Sequence, residues 1–283
     1  GTTNYILSRM AKEDAAYKDV LNEAQDLGYA EADPAADVQG LDAADKIAIL
    51  SGLAFGGSIN REDIPTQGIN KLKSQDINYA SELGYGVKLL AIAERVEAKG
   101  EINNSQPLAL WVEPTLVPIE HPLASVNGVN NAILIKGEPI GEVMFYGPGA
   151  GAGPTASAVV ADILNIAGVK GLDNCEESSG SLDPLLSAAS WRTCHLVHPK
   201  EIIQKHYVRL ITEDSPGVIG QIGRIFGENN VSIQSIVQFD ANDVGAEIVV
   251  ITHEVKRGQV SHSLSMIQEL AEVKSIEAQM GCL

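Results

Sequence analysis

Between Glu31 and Lys46 the chain gathers five carboxylates and one lysine: Glu31, Asp33, Asp37, Asp42, Asp45 and Lys46. Asp42 and Lys46 stand four apart, so on a helix they share a face, with Cβ atoms roughly 5–6 Å apart. Asp42 would also fall in the first helical turn, where the helix dipole favours an anion. A helix cap with a surface ion pair, worth a few tenths of a kcal/mol, accounts for these residues. The neighbours Ile47, Ile49 and Leu50 suggest a second use. A lysine at the edge of an apolar pocket, oriented by an acid, is suited to protonating a carbonyl oxygen.

Two further segments have the composition of ligand-facing turns. Gly147-Pro148-Gly149-Ala150-Gly151-Ala152-Gly153 follows a strand pattern and precedes a helical one. It fails the dinucleotide fingerprint, because Pro154 breaks the spacing. It is either a plain turn for close packing or a loop that lets backbone approach a ligand. Asp214-Ser215-Pro216-Gly217-Val218 joins a strand to a helix; proline sets φ, and amides exposed at the helix start can receive a carboxylate. His206, His253 and His262 stand singly, without ligand spacing, and no metal is expected.

The elements that must hold these segments follow from periodicity. Thr2, Thr3 and Asn4 read as caps for a helix through Met10, and a second helix over 15–27 stops at Gly28. Ile47, Leu50, Leu53 and Ala54 give helical spacing after Asp42, and another helix covers 75–83. Strands are expected from Gly86, where Val87, Leu89, Ala91 and Ala93 alternate with Lys88 and its neighbours, and at 111–112. Residues 131–136 and 141–146 should form a hairpin through the Lys136-Gly137-Glu138-Pro139 turn, followed by a helix over 155–167. From 207 the order is strand, helix, strand, strand, helix, strand: a ferredoxin-like βαββαβ unit. The fold expected is α/β (α+β), a substrate domain over 1–170 with a mixed sheet covered by helices, a linker over 171–204 and the βαββαβ unit over 205–283.

Net charge is −17, from 37 acidic and 20 basic side chains. That argues against a nucleic-acid backbone as partner, since such binding needs clustered Lys and Arg. No apolar run is long enough for a membrane helix and no signal peptide opens the chain, so a cytoplasmic protein is expected. Cys175, Cys194 and Cys282 are too few and scattered for a disulfide framework. The abrupt Gly1 start reads as a truncation.

Taken together, Gly-Thr-Thr-Asn-Tyr-Ile at 1–6, the run Gly-Tyr-Ala-Glu-Ala-Asp-Pro-x-x-Asp-Val-x-Gly-x-Asp-x-x-x-Lys at 28–46, and the 147–151 glycines followed by Thr155-Ala156-Ser157-Ala158 resemble homoserine dehydrogenase over about 1–170. The resemblance implies reduction of aspartate 4-semialdehyde to homoserine with NADP or NAD. It assigns Lys46 as proton donor, Asp42 as the carboxylate that binds the hydroxyl end and orients Lys46, and Glu31 as receiver of the substrate ammonium, with Asp37 in support. Gly151, with Gly149, would approach the cofactor. The nucleotide fingerprint, a second active-site lysine and a monovalent-cation site would precede Gly1, so this chain alone should transfer hydride poorly.

The helix from Thr155 would pack its Ala156, Val159, Val160 and Ile163 face on that absent domain. The C-terminal unit resembles an ACT domain, implying an amino-acid effector, threonine foremost, bound near Asp214 and Gly217 in a homo-oligomer, a dimer or tetramer. Open beside this stand an ACT unit kept only for oligomerisation, an amino-acid sensor with a catalytic remnant, and a subunit that only assembles with others.

Overall fold

The computed structural model describes residues 1–96, 107–149, 151–173, 192–242 and 245–283. Helices α1 (Thr2–Glu13), α2 (Tyr17–Asp26), α3 (Ala35–Val38) and α4 (Leu41–Phe55) open the fold. Strand β1 (Gly57–Ser58), helix α5 (Ser74–Glu82), and strands β2 (Tyr85–Arg95), β3 (Leu108–Pro118), β4 (Asn130–Gly137) and β5 (Gly141–Pro148) follow. Next come α6 (Ala152–Asp173), β6 (Arg192–Thr193), β7 (Ile203–Thr212), α7 (Val218–Glu228), β8 (Ile233–Asn242) and β9 (Gly245–Thr252). The last elements are β10 (Val255–Lys256), α8 (Arg257–Gln268) and β11 (Val273–Cys282).

The expected helices, hairpin and βαββαβ order all form. The capping expectation at the start does not. Gly1 is the N-cap of α1 and no side chain caps the helix. Thr2 instead donates to Tyr29 O at 2.7 Å, and Asn4 reaches residues 128 and 130. These polar side chains are spent on long-range contacts because the α1 N-terminus abuts the rest of the molecule. At Gly28 the backbone turns with φ 72°, which a residue without Cβ adopts at little cost.

One mixed sheet runs in the order β2-β3-β11-β7-β9-β8, with β10 beside β7. Its parallel contact lies where the end of β11 meets β3, Gly281 opposite Thr115 and Cys282 opposite Leu116. The neighbouring pairs are antiparallel. The sheet therefore crosses from the N-terminal part into the βαββαβ unit, a junction the sequence pattern did not suggest. Part of the expected linker is also structural: β6 pairs in parallel with β1, Leu196 bridges Leu108, and β7 begins at Ile203. Residues 174–191 of that linker lie outside the described residues.

Period-two alternation explains how the sheet is covered. On β7 and β9, Val208, Leu210, Ile248 and Val250 face α7 and α8. Tyr207, Val249 and Ile251 face the other way, into a core shared with Ile6, Met10, Val20, Ile69 and Ile77. A ferredoxin-like sheet carries its own helices on one face, and here α1, α2 and α5 cover the other. Tyr79 of α5 stacks on Phe239 of β8 with ring centroids 3.8 Å apart. Because β2 and β3 are sandwiched, alternation fails there: Lys88 is buried rather than turned to solvent. No helix among the described residues is long and apolar enough to cross a membrane.

Candidate functional site

Helix α4 presents the acid–lysine pair. It buries Ala44, Ser51 and Gly52, spaced seven and eight apart, against the sheet. The opposite side carries Asp42 and Lys46, whose Nζ and Oδ2 are 2.6 Å apart with the side chains 59% and 46% exposed for Lys46 and Asp42 respectively. Ile49 and Leu53 share that open side. The apolar enclosure expected around Lys46 is thus not formed by its helix neighbours, because small residues take the buried face.

The corner before α4 is held by two tight approaches. Gly40 caps α4 at φ 82°, and a Cβ there would meet Thr66 and Val112 at 3.2 Å. A Cβ on Gly68 would lie 2.0 Å from Val38 O, so only glycine lets the 65–69 segment pass; Ile69 N donates to that same carbonyl at 2.8 Å. Asp37 on α3 and Asp42 on α4 are brought together by this corner. Lys46, Asp37 and Asp42 all act electrostatically on the first residue of the chain, so the three charged side chains lie near the start of α1. Glu31 sits in an exposed turn pinned to the same end of α1 and α2. Gln25 Nε2 donates to Glu31 O at 3.0 Å, and Tyr29, besides accepting from Thr2, packs its ring 5.0 Å from that of Tyr5.

The glycine turn between β5 and α6 reaches this region through the loop at 126–131. Gly149 N donates to Val129 O at 3.5 Å, and a Cβ on Gly149 would collide with the Asn131 amide. A side chain at Gly149 would require the Asn131 amide to move aside. Gly151 has φ 115° and is exposed, and a Cβ on Gly147 would meet nothing within 4 Å. The exposed part of the turn thus leaves backbone open to a ligand; Ala150 lies outside the described residues. On α6, Val159, Val160 and Ile163 are exposed.

The sequence reading passed over Lys88 and Asn4. Lys88 Nζ donates to Asn4 Oδ1 at 3.1 Å, to Asn127 Oδ1 at 3.0 Å and to Val126 O. Burial pulls its amine down to about 8. Asn4 Nδ2 in turn donates to Gly128 O and Asn130 O, and Gly128 N to Ser8 Oγ. The available signal was a single lysine inside the apolar run Val87 to Leu90.

Elsewhere, Asp214 and Gly217 line a cleft of about 480 Å³ with Thr212, Ser215, Gln238 and Ile248. Gln238 Nε2 donates to Asp214 Oδ1 at 3.1 Å, and Gly217 opens α7 with φ 95°. Cys194 and Cys282 are free thiols, and burial raises Cys282 to about 11. Cys175 lies outside the described residues. Among the described residues no three His, Cys, Asp or Glu are grouped to hold a metal.

Comparison with known proteins agrees with this arrangement. Residues 1–164 match the family described as homoserine dehydrogenase, and residues 206–272 match the ACT domain. A homoserine dehydrogenase of Synechocystis sp. is 52% identical over 283 residues, covering 100% of this chain and 64% of that protein. One of Bacillus subtilis is 38% identical, covering 98% of this chain and 61% of that protein. A crystal structure of a homoserine dehydrogenase from Thiobacillus denitrificans superposes with TM-score 0.90 at 36% identity, covering 100% of this chain and 62% of the other. The chain spans less than two thirds of the length of these relatives. With the acid–lysine helix, the glycine turn and the C-terminal βαββαβ unit in the order that family has them, the chain belongs to the homoserine dehydrogenase family.

Proposed function

We propose that the protein reduces aspartate 4-semialdehyde to homoserine, within threonine, methionine and isoleucine biosynthesis in the cytoplasm. The observation that carries this reading is the Lys46–Asp42 contact at 2.6 Å on an open face, beside Asp37 and the start of α1. Lys46 donates the proton that the carbonyl oxygen gains, and Asp42 holds its ammonium in line and binds the product hydroxyl. Glu31, with Asp37 in support, pairs with the substrate's α-ammonium group. When bound, NADPH or NADH supplies the hydride that converts the aldehyde carbon to the alcohol carbon and leaves as NADP or NAD. Gly151 and Gly149, in the open turn after β5, would stand against it. The remaining third of the relatives' length would hold most of that cofactor, next to the exposed apolar side of α6.

In this reading residues 1–170 form the catalytic unit, 171–204 the connection and 205–283 the regulatory unit. The cleft at Asp214 and Gly217 favours an effector role for the latter: amides at the start of α7 receive the carboxylate of an amino acid, threonine foremost, in a dimer or tetramer.

The full-length gene product assayed with homoserine and either cofactor tests both parts. Turnover that threonine inhibits, and that Lys46→Ala removes, is expected. Normal turnover in Lys46→Ala would overturn the proton-donor role, and threonine binding without any turnover would reduce the protein to a sensor.

A further inference from the structure

Lys88 is 8% exposed, on β2 at the edge of the sheet, opposite Thr115 of β3. A buried ammonium is costly to desolvate, so it persists only where its protons are taken up. Its three acceptors are neutral: the Asn4 and Asn127 side-chain oxygens and the Val126 carbonyl. Among the described residues no carboxylate comes within ion-pair distance of it, and only desolvation acts on its amine. The core gains nothing from this cation that an apolar residue would not supply more cheaply.

The cation adds a third strut between two segments, the first turn of α1 and the loop after β3, by bonding both at once. Asn4 lies in the first turn of α1, whose start adjoins Lys46, Asp37 and Asp42. Val126 and Asn127 open the loop whose Val129 and Asn131 hold Gly149. Asn4 and Ser8 bond the same loop at Gly128 and Asn130. Hydrogen bonds thus run from the first turns of α1 and from Lys88 into the loop that packs on the glycine turn, and Lys46, Asp37 and Asp42 lie near enough to the start of α1 to act on it electrostatically.

We propose that Lys88 is a positioning residue for the hydride transfer: its ammonium clamps the first turn of α1 to the 126–131 loop and thereby sets the gap between Lys46 and the glycine turn. This rests on the reductase reading above. Misplacing reacting groups by about 1 Å costs on the order of a hundredfold in rate.

The test uses the full-length protein with Lys88→Met and, since the buried variant risks failing to fold, Asn127→Ala, which removes one acceptor from an exposed side chain. For Lys88→Met a fall in kcat of about tenfold or more, a raised KM for the nicotinamide cofactor and an unchanged KM for homoserine are expected per folded enzyme. Asn127→Ala should show the same split at about fivefold, the worth of one hydrogen bond. Hydrogen exchange at the Gly128 and Gly149 amides should quicken in both. If the variants keep the parent's kcat, cofactor KM and exchange, or if Lys88→Met is unfolded and Asn127→Ala is unchanged, the role is overturned. A purely structural lysine would lower melting temperature with both KM values unmoved, and that also overturns it. A parent protein without homoserine-dependent turnover refutes the reaction itself, a different result from turnover that ignores Lys88.

Discussion

Two ion-pair clusters in this chain use the same chemistry in opposite surroundings. Asp42 and Lys46 meet on an open helix face, both side chains about half exposed. Arg209 of β7 is enclosed: its Nε and Nη2 donate to Asp76 of α5 at 2.7 and 3.1 Å, and its Nη1 to Glu247 of β9 at 3.0 Å, with the three side chains 1–5% exposed. Tyr207 Oη adds a contact to Asp76 at 3.3 Å. Burial opposes the Arg209 charge, yet the hydrogen bonds and charge of Asp76 outweigh it and hold the guanidinium protonated. Burial, and after it the Asp76 carboxylate, push the Tyr207 hydroxyl far above its ordinary value.

The difference teaches what each cluster is for. An exposed pair is screened and adds little to stability, so its groups remain available to a substrate. A buried pair cannot lose a partner without stranding a charge, so it fixes how two parts of the chain dock. Asp76 belongs to the N-terminal helices and Arg209 to the βαββαβ unit. The buried network therefore marks the junction, together with the Lys73–Glu277 pair at its rim.

The sharpest way to break the comparison is to remove one member from each cluster. Lys46→Ala in the full-length protein should lose about 10²–10⁴ in turnover, the range for a general acid, in steady-state kinetics with homoserine. Arg209→Ala should cost about 3–5 kcal/mol of unfolding free energy in urea denaturation, because it strips the guanidinium from the buried Asp76 and Glu247 carboxylates. Replacing all three members by apolar residues of similar volume should recover most of that loss. If Arg209→Ala unfolds at the parent's urea midpoint, the network is not what docks the two parts.

A third prediction concerns His206, buried beside this junction, where burial and then Arg257 depress its imidazole to about 4. The folded state thus takes up its proton later than the unfolded one, whose histidine titrates near 6.5. His206 adds no pH dependence above pH 6.5 and costs roughly 1.4 kcal/mol per unit as pH falls from there towards 4. Glu113, raised by burial and restrained by Arg257 and Gln204, acts in the opposite sense. The quantity to measure is therefore the stability difference between the parent and His206→Gln across pH 4–7; a flat difference would refute the assignment. The smallest effect closes the comparison: Lys46→Ala should change unfolding free energy by about 0.5 kcal/mol or less. A larger change would mean that the pair is structural.

Most elements were legible because their periods are strong. The i, i+4 spacing of Asp42 and Lys46, the turn at Gly28 and the strand alternation of 207–212 are local properties, and each reappears in the structure. Gly40, Gly149 and Gly217 were visible as glycines. The closeness of Gly149 to the Asn131 side chain, eighteen positions away, is a contact no local pattern reveals. Lys88 and Arg209 were missed for a related reason. Alternation predicts a polar residue to face water only if one side of the strand stays open; β7 is covered on both sides, and the Lys88 side of β2 is closed by Asn4, Val126 and Asn127.

By itself the sequence determined the element order, the i, i+4 pairing of Asp42 with Lys46, and the family to which these motifs point. Those follow from short-range sterics, hydrogen bonding and hydrophobic periodicity, which act over a few residues. Tertiary structure alone decided that one sheet unites both units through β3 and β11, that the second face of the βαββαβ sheet is covered by α1, α2 and α5, and that the buried Lys88 bonds both Asn4 of α1 and the loop at Val126 and Asn127. Such outcomes depend on which surfaces find each other once the chain collapses, and burial far along the chain decides whether a charge is solvated, paired or stranded.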